Sequence, residues 1–220
     1  MFVARRMKKK LVTVPLSASL FEAQGLMRGH TIRQLPVVSE ERTLLGIVSD
    51  RDIRAVVLPA GLVPGFTADE AERFMKNTPV ERAMTRKVVT ATDTDTLEDA
   101  IVLLRDFRVN ALPVVDAAGK IAGIITRTDV MEAFIEVLGV GEISSRLEVV
   151  VPDRPGTLGQ LAAIIGSFHV NITSLISTRH VEEGKRVNFF RIATLNTGPI
   201  RKAIDEAGFE LLDPSRFILP

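Results

Sequence analysis

The chain has 220 residues with a formal net charge of +1, and 46% of them are hydrophobic. This length is typical of two domains, and the apolar fraction is sufficient for sizeable cores. The sequence contains no cysteine, which excludes disulfide bonds, thiolate metal ligands and thiol nucleophiles. The near-neutral charge gives no global sign of nucleic-acid binding.

The N-terminus is basic, but the apolar stretch that follows it is interrupted by Pro15. A secretory signal peptide needs a longer apolar region, and a membrane-spanning helix needs about 20 apolar residues. We therefore expect a cytoplasmic protein that does not associate with membranes.

The first half of the chain is an internal repeat. A shift of 77 aligns residues 12–53 with residues 89–130 without a gap, and thirteen of those 42 positions are identical. Ordinary composition would give about three identities by chance. The same shift pairs Met7 with Met84 further upstream. A duplicated fold unit is the simple explanation.

Each repeat is predicted to fold as β-α-β-β-α. In the first repeat, a short strand at 12–14 precedes a helix that opens with a capping box, Ser19 to Glu22. Strands at 34–38 and 44–48 flank a polar turn and predict a hairpin, and the closing helix starts at Ser49. The matching features of the second repeat are Thr96, 111–115, 121–125 and Thr126.

The most informative stretch runs from Gly46 to Asp52 and returns as Gly123 to Asp129. In each copy a strand ends at a hydroxyl that can cap the next helix, and an Asp stands three residues later. Such a helix start also suits an anion, while the Asp is a good acceptor for ribose hydroxyls. A single copy is better explained as an ordinary capping box. Two copies in register favour a phosphorylated nucleoside.

Each repeat resembles a CBS domain, and the pair resembles a Bateman module. The likeness rests on the Leu-Pro-Val-Val strand, the Gly-aliphatic-aliphatic-Ser/Thr-x-x-Asp turn and the spacing between them. It implies a mixed α+β fold in which two units pack sheet against sheet around a pseudo-two-fold axis. CBS unit 1 would cover residues 1–58 and CBS unit 2 residues 79–138, joined by a linker at 59–78.

The same resemblance implies two clefts that bind an adenosine compound: AMP, ADP, ATP or S-adenosylmethionine. Asp52 and Asp129 would hold the ribose, and Ser49 and Thr126 would contact phosphate. The residues that would wall the adenine or lie beside the clefts are Thr13, Val14, Arg33, Pro36, Thr90, Ala91, Asn110, Pro113, Arg51 and Arg127. Neither cleft is ruled out by the motif.

Basic residues cluster near both predicted clefts. They are Lys8, Lys9, Lys10, Arg33 and Arg51 in the first copy and Arg86, Lys87 and Arg127 in the second. This concentration suits a polyphosphate. A solvated basic rim explains it equally well, because surface Lys and Arg are common.

After a second linker at 139–145, the pattern changes to βαββαβ, a ferredoxin-like order. A strand at 147–151 leads through a Pro-Gly turn into a helix, two strands, a second helix and a closing strand. This domain, residues 146–220, resembles an ACT domain in the run from Asp153 to Leu158 and in His169-Val170-Asn171-Ile172.

In ACT domains, paired copies bind amino acids or other small effectors. The resemblance implies that Asp153, Gly156, Asn171 and Ile172 would line such a pocket. Gly156 lets a ligand approach the backbone, and exposed amides at a helix start suit a carboxylate. The alternative is that the Pro-Gly pair only makes a turn and that the domain mainly dimerises.

The sequence offers no catalytic residue and no metal site. His30, His169 and His180 are scattered without spaced partners, and no Ser-His-Asp set or phosphate-binding P-loop is visible. We therefore expect a protein that is not an enzyme and requires no cofactor, with an adenine nucleotide as its ligand.

The order of the domains resembles a family of acetoin-utilisation accessory proteins. We expect a non-catalytic regulatory sensor that relays its ligand state to an unknown partner protein. Both domain types commonly pair, so a homodimer or a higher even-numbered assembly is expected. Two alternatives remain: an oligomerisation scaffold without a ligand, and nucleic-acid binding through the basic N-terminus, which the net charge and 5% aromatic content disfavour.

Overall fold

The computed structural model describes residues 1–61, 67–141 and 143–212. The chain divides into two units, Met1–Met131 and Glu132–Pro220. The first unit contains the aligned positions of both sequence repeats, and the second contains the C-terminal pattern.

The elements of the first repeat are strand β1 (Val14–Pro15), helix α1 (Leu20–Gly29), strands β2 (Gln34–Val38) and β3 (Leu44–Ser49), and helix α2 (Asp50–Gly61). Helix α3 (Ala68–Asn77) follows, within the segment predicted as a linker. The elements of the second repeat are β4 (Ala91–Thr92), α4 (Leu97–Asp106), β5 (Ala111–Val115), β6 (Ile121–Thr126) and α5 (Arg127–Val137). The predicted β-α-β-β-α order is confirmed in both repeats.

Both repeats build the same three-stranded sheet. β1 pairs parallel with β2, and β2 pairs antiparallel with β3; β4, β5 and β6 do the same. The register of each hairpin shifts at equivalent places, between Val37 and Val38 and between Val114 and Val115. The duplication is therefore visible in the backbone down to a single irregularity.

The helices start where a polar side chain caps them and where apolar residues recur at helical spacing. Ser19 and Glu22 form a reciprocal capping box at α1, and Thr96 and Asp99 form one at α4. The buried stripes are Leu20, Ala23 and Met27 on α1 and Leu97, Ala100 and Leu104 on α4. Because the caps and the stripes agree, both helices begin at the predicted residues.

The N-terminal segment of each repeat pairs with the body of the other repeat. Lys8 exchanges two backbone hydrogen bonds with Ile124, of 2.8 and 3.1 Å. Thr85 makes the equivalent exchange with Ile47, at 2.8 and 3.0 Å. These bonds join backbone groups, so they leave no side-chain pattern from which the exchange could have been predicted.

The glycine of the repeated motif makes this pairing possible. A Cβ atom at Gly46 would lie 2.7 Å from the sulfur of Met84 and 3.0 Å from the carbonyl oxygen of Thr85. A Cβ atom at Gly123 would overlap the sulfur of Met7 in the same way. Both glycines therefore serve close packing of the exchanged segments rather than a turn.

The C-terminal unit consists of β7 (Ser145–Pro152), α6 (Thr157–Ser167), β8 (Ile172–Arg179), β9 (Lys185–Ile192), α7 (Gly198–Glu206) and β10 (Glu210–Leu211). Its antiparallel sheet has the order β10-β7-β9-β8. Leu161 and Ile165 of α6 and Ile200 and Ile204 of α7 are buried in one core with one face of this sheet. The predicted ferredoxin-like fold is confirmed.

Candidate functional site

Both repeated helix openings form a capping box. The backbone N–H and the hydroxyl of Ser49 donate to Oδ2 of Asp52 at 2.8 and 2.5 Å, and the Asp52 N–H donates to the Ser49 hydroxyl at 3.2 Å. Thr126 and Asp129 make the same three bonds, at 2.8, 2.6 and 3.2 Å. The carboxylates thus serve as caps, but each does so through one oxygen and leaves Oδ1 outside the cap.

A cavity of about 500 Å³ opens at the Ser49 helix start, and both repeats wall it. The first repeat contributes Arg33, Gln34, Ile47, Ser49, Asp50, Arg51, Asp52 and Arg54, and the second contributes Thr85, Lys87, Val88, Val89, Arg108, Val109, Asn110 and Ala111. The second repeat reaches this place partly because Thr85 pairs with Ile47 on β3. The volume falls in the range of small-molecule sites, about 300–1,000 Å³. We call this space the Asp52 cleft.

Asp52 presents an acceptor to the Asp52 cleft. Its side chain is half-buried, and Oδ1 has no hydrogen-bond or ion-pair partner among the described residues. A carboxylate oxygen can accept more than one hydrogen bond and cannot donate when it is ionised. The Asp52 cleft can therefore accept hydroxyl or amino hydrogens from a ligand at this point.

The Asp52 cleft is also rich in positive charge. Arg54 is paired with Asp50 at 2.8 Å. Four further cations line the walls and have no ion-pair partner in the described part of the chain: Arg33, Arg51, Lys87 and Arg108. Cations confined in a concave site raise the local concentration of anions. The Asp52 carboxylate beside these four cations suits a ligand that carries both hydroxyl groups and phosphate.

The second helix opening has different surroundings. Lys8 Nζ lies 3.1 Å from Oδ1 of Asp129, whose side chain is only 5% exposed. Arg127 donates to the carbonyl oxygens of Val109, at 2.9 Å, and Leu104, at 3.0 Å. Both cations are therefore engaged with protein groups, and Asp129 is satisfied through both of its oxygens.

The remaining predicted nucleotide-binding residues fall into two groups. Arg33, Arg51 and Asn110 line the Asp52 cleft, whereas Thr13, Val14, Pro36, Thr90, Ala91 and Pro113 are not among its lining residues. Thr13 and Val14 line a shallow groove against α1 instead. Pro36 and Pro113 are buried inside their strands. The exchange of N-terminal segments explains the difference, because it places residues 85–89 of the second repeat beside Asp52.

Several cleft residues were not predicted as binding residues from the sequence. They are Ile47, Asp50, Arg54, Thr85, Lys87, Val88, Val89 and Arg108. In the sequence, Lys87 is one of the basic residues near the predicted cleft of the second copy, whereas in the structure it lines the Asp52 cleft. The repeat register alone would not identify those that the second repeat contributes, since it gives no indication of which copy completes which cleft.

The four predicted effector residues lie at two ends of the C-terminal sheet. Asp153 follows Pro152, which pairs with Lys185, while Ile172 pairs with Ile192. Along β9 these two pairs are about 23 Å apart at the usual strand rise. Asp153 and Gly156 therefore do not meet Asn171 and Ile172 within one chain. A pocket that combines all four requires a second copy.

Local structural contacts account for some of the residue types at these four positions. Gly156 has φ +90° at the N-cap of α6, a conformation that favours glycine. Asp153 lies 3.6 Å from Arg186. The Asn171 carbonyl accepts a hydrogen bond from Ala193 at 2.9 Å. The turn interpretation of the Pro-Gly pair is therefore sufficient for the fold, and ligand binding is not needed to explain it.

A second cavity, of about 380 Å³, lies in the C-terminal unit and was not predicted. Its lining residues are Leu138, Val140, Arg146, Ser174, Ile176, Phe189, Phe190 and Arg191. The cations there are already engaged: Arg146 pairs with Glu148 at 2.7 Å, and Arg191 donates to the Ser144 hydroxyl at 3.1 Å. The site is thus largely apolar.

Two features are absent from residues 1–61, 67–141 and 143–212. In these ranges, no helix combines the length and apolarity required to cross a bilayer. Within the same ranges, no three side chains of the types His, Cys, Asp or Glu are grouped as a metal site would require.

Known protein families match most of the chain. The CBS domain matches residues 3–59 and 80–136, and the ACT domain matches residues 145–208. The chain belongs to the CBS-domain family. It carries a tandem CBS pair followed by a C-terminal ACT domain, and neither matched family is a catalytic domain.

Solved CBS pairs resemble this one over about three fifths of the chain. CBSX2 of Arabidopsis thaliana, solved with AMP, is 31% identical, with 62% of this chain and 97% of that chain covered and a TM-score of 0.53. The CBS pair of protein MJ0100, solved with 5′-methylthioadenosine and S-adenosyl-L-methionine, is 26% identical, covering 61% and 99%, with a TM-score of 0.51.

A Vibrio cholerae protein described as an acetoin utilization protein (AcuB) is also similar. It is 27% identical, with 64% of this chain and 95% of that chain covered and a TM-score of 0.52. Because these likenesses leave more than a third of the chain uncovered, the assignment of the C-terminal unit rests on the ACT family match and on its own fold.

Proposed function

We propose that this protein is a cytoplasmic, non-catalytic regulatory sensor whose CBS pair binds an adenine nucleotide. The observation that carries the proposal is the Asp52 cleft. Within the part of the chain that the structure describes, it combines an unpaired carboxylate oxygen with four cations that have no ion-pair partner, in a cavity of about 500 Å³. In the proposed complex, Asp52 accepts hydrogen bonds from the ribose hydroxyls, and the cations contact the phosphates.

The solved relatives support an adenosine ligand. CBSX2 was solved with AMP, and the MJ0100 pair was solved with 5′-methylthioadenosine and S-adenosyl-L-methionine. The chemical group that these ligands share is adenosine. The cations of the Asp52 cleft favour AMP, ADP or ATP over S-adenosylmethionine, because the sulfonium compound brings no phosphate to neutralise.

The ACT domain is proposed to bind an amino-acid-like effector in a homodimer or higher even-numbered assembly. Such a pocket needs a second copy if it is to contain all four predicted residues, since these lie at opposite ends of the sheet within one chain. Nucleotide binding is proposed to shift the population of two states of the chain and so to change its affinity for a regulated protein. The likeness to AcuB makes acetoin utilisation the first pathway to test for that partner.

Titration calorimetry of the full chain with AMP, ADP, ATP and S-adenosylmethionine tests the nucleotide site. Asp52→Ala should weaken nucleotide binding by about tenfold or more, because hydrogen bonds to a charged acceptor contribute about 1.5–3 kcal/mol. Raising the salt concentration should weaken binding of ATP more than binding of AMP.

Asp99→Ala is the matched control. Asp99 forms the same kind of capping box at α4, with Thr96, but it is exposed and lies outside the Asp52 cleft. Asp99→Ala should reduce stability without changing nucleotide affinity. Equal affinity in wild type and Asp52→Ala would contradict the site, and no binding of any of the four compounds would contradict the function.

A further inference from the structure

The two predicted CBS clefts share a sequence motif, but one neighbouring position gives their carboxylates different surroundings. The shift of 77 residues aligns Lys8 with Thr85. Because the N-terminal segments are exchanged, Thr85 lies beside Asp52, and Lys8 lies beside Asp129. The equivalent position is therefore a short neutral residue in the wall of the Asp52 cleft and a lysine whose ammonium group lies 3.1 Å from the Asp129 carboxylate.

The ammonium group occupies the acceptor that a ligand would need. Oδ2 of Asp129 accepts from the N–H and the hydroxyl of Thr126, and Oδ1 lies 3.1 Å from Lys8 Nζ. The Asp129 side chain is 5% exposed, whereas the Lys8 side chain is 63% exposed. Lys8 thus covers a buried carboxylate from the solvent side, which is the side from which a ligand would approach.

The charges of the two clefts differ in the same direction. Arg51 and Arg108 line the Asp52 cleft without an ion-pair partner among the described residues, and the equivalent positions of the other copy are Thr128 and Thr31. In addition, Arg127 is held by two carbonyl oxygens and stands where the first copy has Asp50. Fewer cations are therefore available for phosphate at the second opening.

We infer that each chain has a single competent nucleotide cleft, at Asp52, and that Lys8 keeps the Asp129 cleft closed by acting as an internal substitute for the ligand. This inference rests on the proposed function and deepens it by assigning the binding stoichiometry to one residue pair. A nucleotide must displace a charge-assisted bond to reach Asp129, which should weaken binding there by about tenfold to a hundredfold.

A reciprocal exchange of the two residues tests the inference. AMP binding is measured by titration calorimetry and by native mass spectrometry, both on the full chain. Wild type should bind one AMP per chain. Lys8→Thr should bind two, because the Asp129 opening then resembles the Asp52 cleft. Thr85→Lys should bind AMP at least tenfold more weakly than wild type, since a lysine now stands beside Asp52.

Lys9→Thr is the control for the loss of one positive charge, because Lys9 is exposed and adjacent in sequence but has no ion-pair partner in the described ranges. It should keep the wild-type stoichiometry. Lys8→Gln is a second variant that removes the charge and retains most of the side chain, and circular dichroism checks that each variant is folded.

The outcomes separate the inference from the proposed function. Two AMP molecules of similar affinity on wild type would overturn the closure by Lys8 and leave the sensor function standing. One AMP on wild type and one on both Lys8 variants would show that Lys8 is not the block. No binding of AMP, ADP, ATP or S-adenosylmethionine to any variant would overturn both.

Discussion

The two helix openings of the CBS pair have the same local structure and different surroundings. Ser49 with Asp52 and Thr126 with Asp129 make the same three hydrogen bonds, and their distances agree to within 0.1 Å. Among the described residues, a lysine satisfies the remaining oxygen at Asp129, and none does so at Asp52. The motif therefore specifies the helix start, while a residue more than a hundred positions away in sequence determines whether the carboxylate is available.

Equivalent core substitutions in the two repeats should lower the free energy of unfolding by similar amounts, even though the surroundings of the two helix openings differ. Leu35 and Leu112 are equivalent positions and both are 0% exposed. Replacing either with Ala should lower the free energy of unfolding by about 2–5 kcal/mol, the usual cost of a buried Leu-to-Ala change. Urea unfolding followed by circular dichroism measures this loss.

The exchanged segments make this test sharper. Because each repeat pairs with the N-terminal segment of the other, both substitutions should shift one shared transition. Two separate transitions, each sensitive to one substitution, would mean that the repeats unfold independently and that the exchanged contacts contribute little.

The glycines beneath the exchanged segments give the next largest effect. Gly46→Ala and Gly123→Ala should each destabilise the protein by about 1–3 kcal/mol, because the added methyl group forces Met84 or Met7 and the adjoining backbone to move. Gly25 is the matched control, since it lies inside α1 with nothing within 4 Å of an added Cβ.

Gly25→Ala should have the opposite sign and stabilise the protein by about 0.5–1 kcal/mol, the usual gain for Ala over Gly within a helix. Thermal or urea unfolding of the three variants provides the comparison. If Gly46→Ala and Gly25→Ala changed stability in the same direction, close packing at the exchanged segment would not be the reason for Gly46.

The smallest predicted effect concerns the pH range in which the caps of α1 and α4 lose their contributions to stability. The backbone N–H and the hydroxyl of Ser19 lower the pKa of Glu22 from its ordinary value of 4.5. The hydroxyl and the backbone N–H of Thr96 lower the pKa of Asp99 from 3.8. A pKa lowered by folding stabilises the folded state above the ordinary value, and this stabilisation is lost as the pH falls through the folded pKa.

The Glu22 contribution should therefore begin to decline near pH 4.5 and the Asp99 contribution near pH 3.8. Glu22→Gln and Asp99→Asn each remove one titration, so urea midpoints measured between about pH 6 and about pH 3 should depend less on pH than in wild type. If the urea midpoint of Glu22→Gln depended on pH as it does in wild type, titration of Glu22 would not contribute to the pH dependence of stability.

Much of the fold was predictable because local signals agree. Capping residues such as Ser19 and Thr96 stand immediately before apolar stripes, and the strands carry the residues that hairpins favour. The helix ends were less predictable. Thr31 and Arg108 both adopt positive φ, 53° in each case, just after α1 and α4. Glycine usually marks this conformation in a sequence. Because Thr31 and Arg108 are not glycines, the left-handed backbone at these positions could not be predicted.

The site was predictable at the motif and at a few further residues, of which Arg33, Arg51 and Asn110 line the Asp52 cleft. Ser49, Asp52 and Thr126 with Asp129 could be located because a cap needs a hydroxyl and a carboxylate at that spacing. The role of Lys8 could not, because its side chain meets Asp129 only through the exchange of N-terminal segments. Without that exchange, Lys8 is one of several basic residues in the first copy.

The exchange has a consequence for how such a pair can diversify. A single repeat could make these contacts only in a homodimer that exchanges N-terminal segments. The two halves of that homodimer would always have the same sequence. When both copies lie in one polypeptide, their sequences no longer have to be identical. Positions 8 and 85, which would be one codon in the symmetric assembly, can then be lysine in one place and threonine in the other.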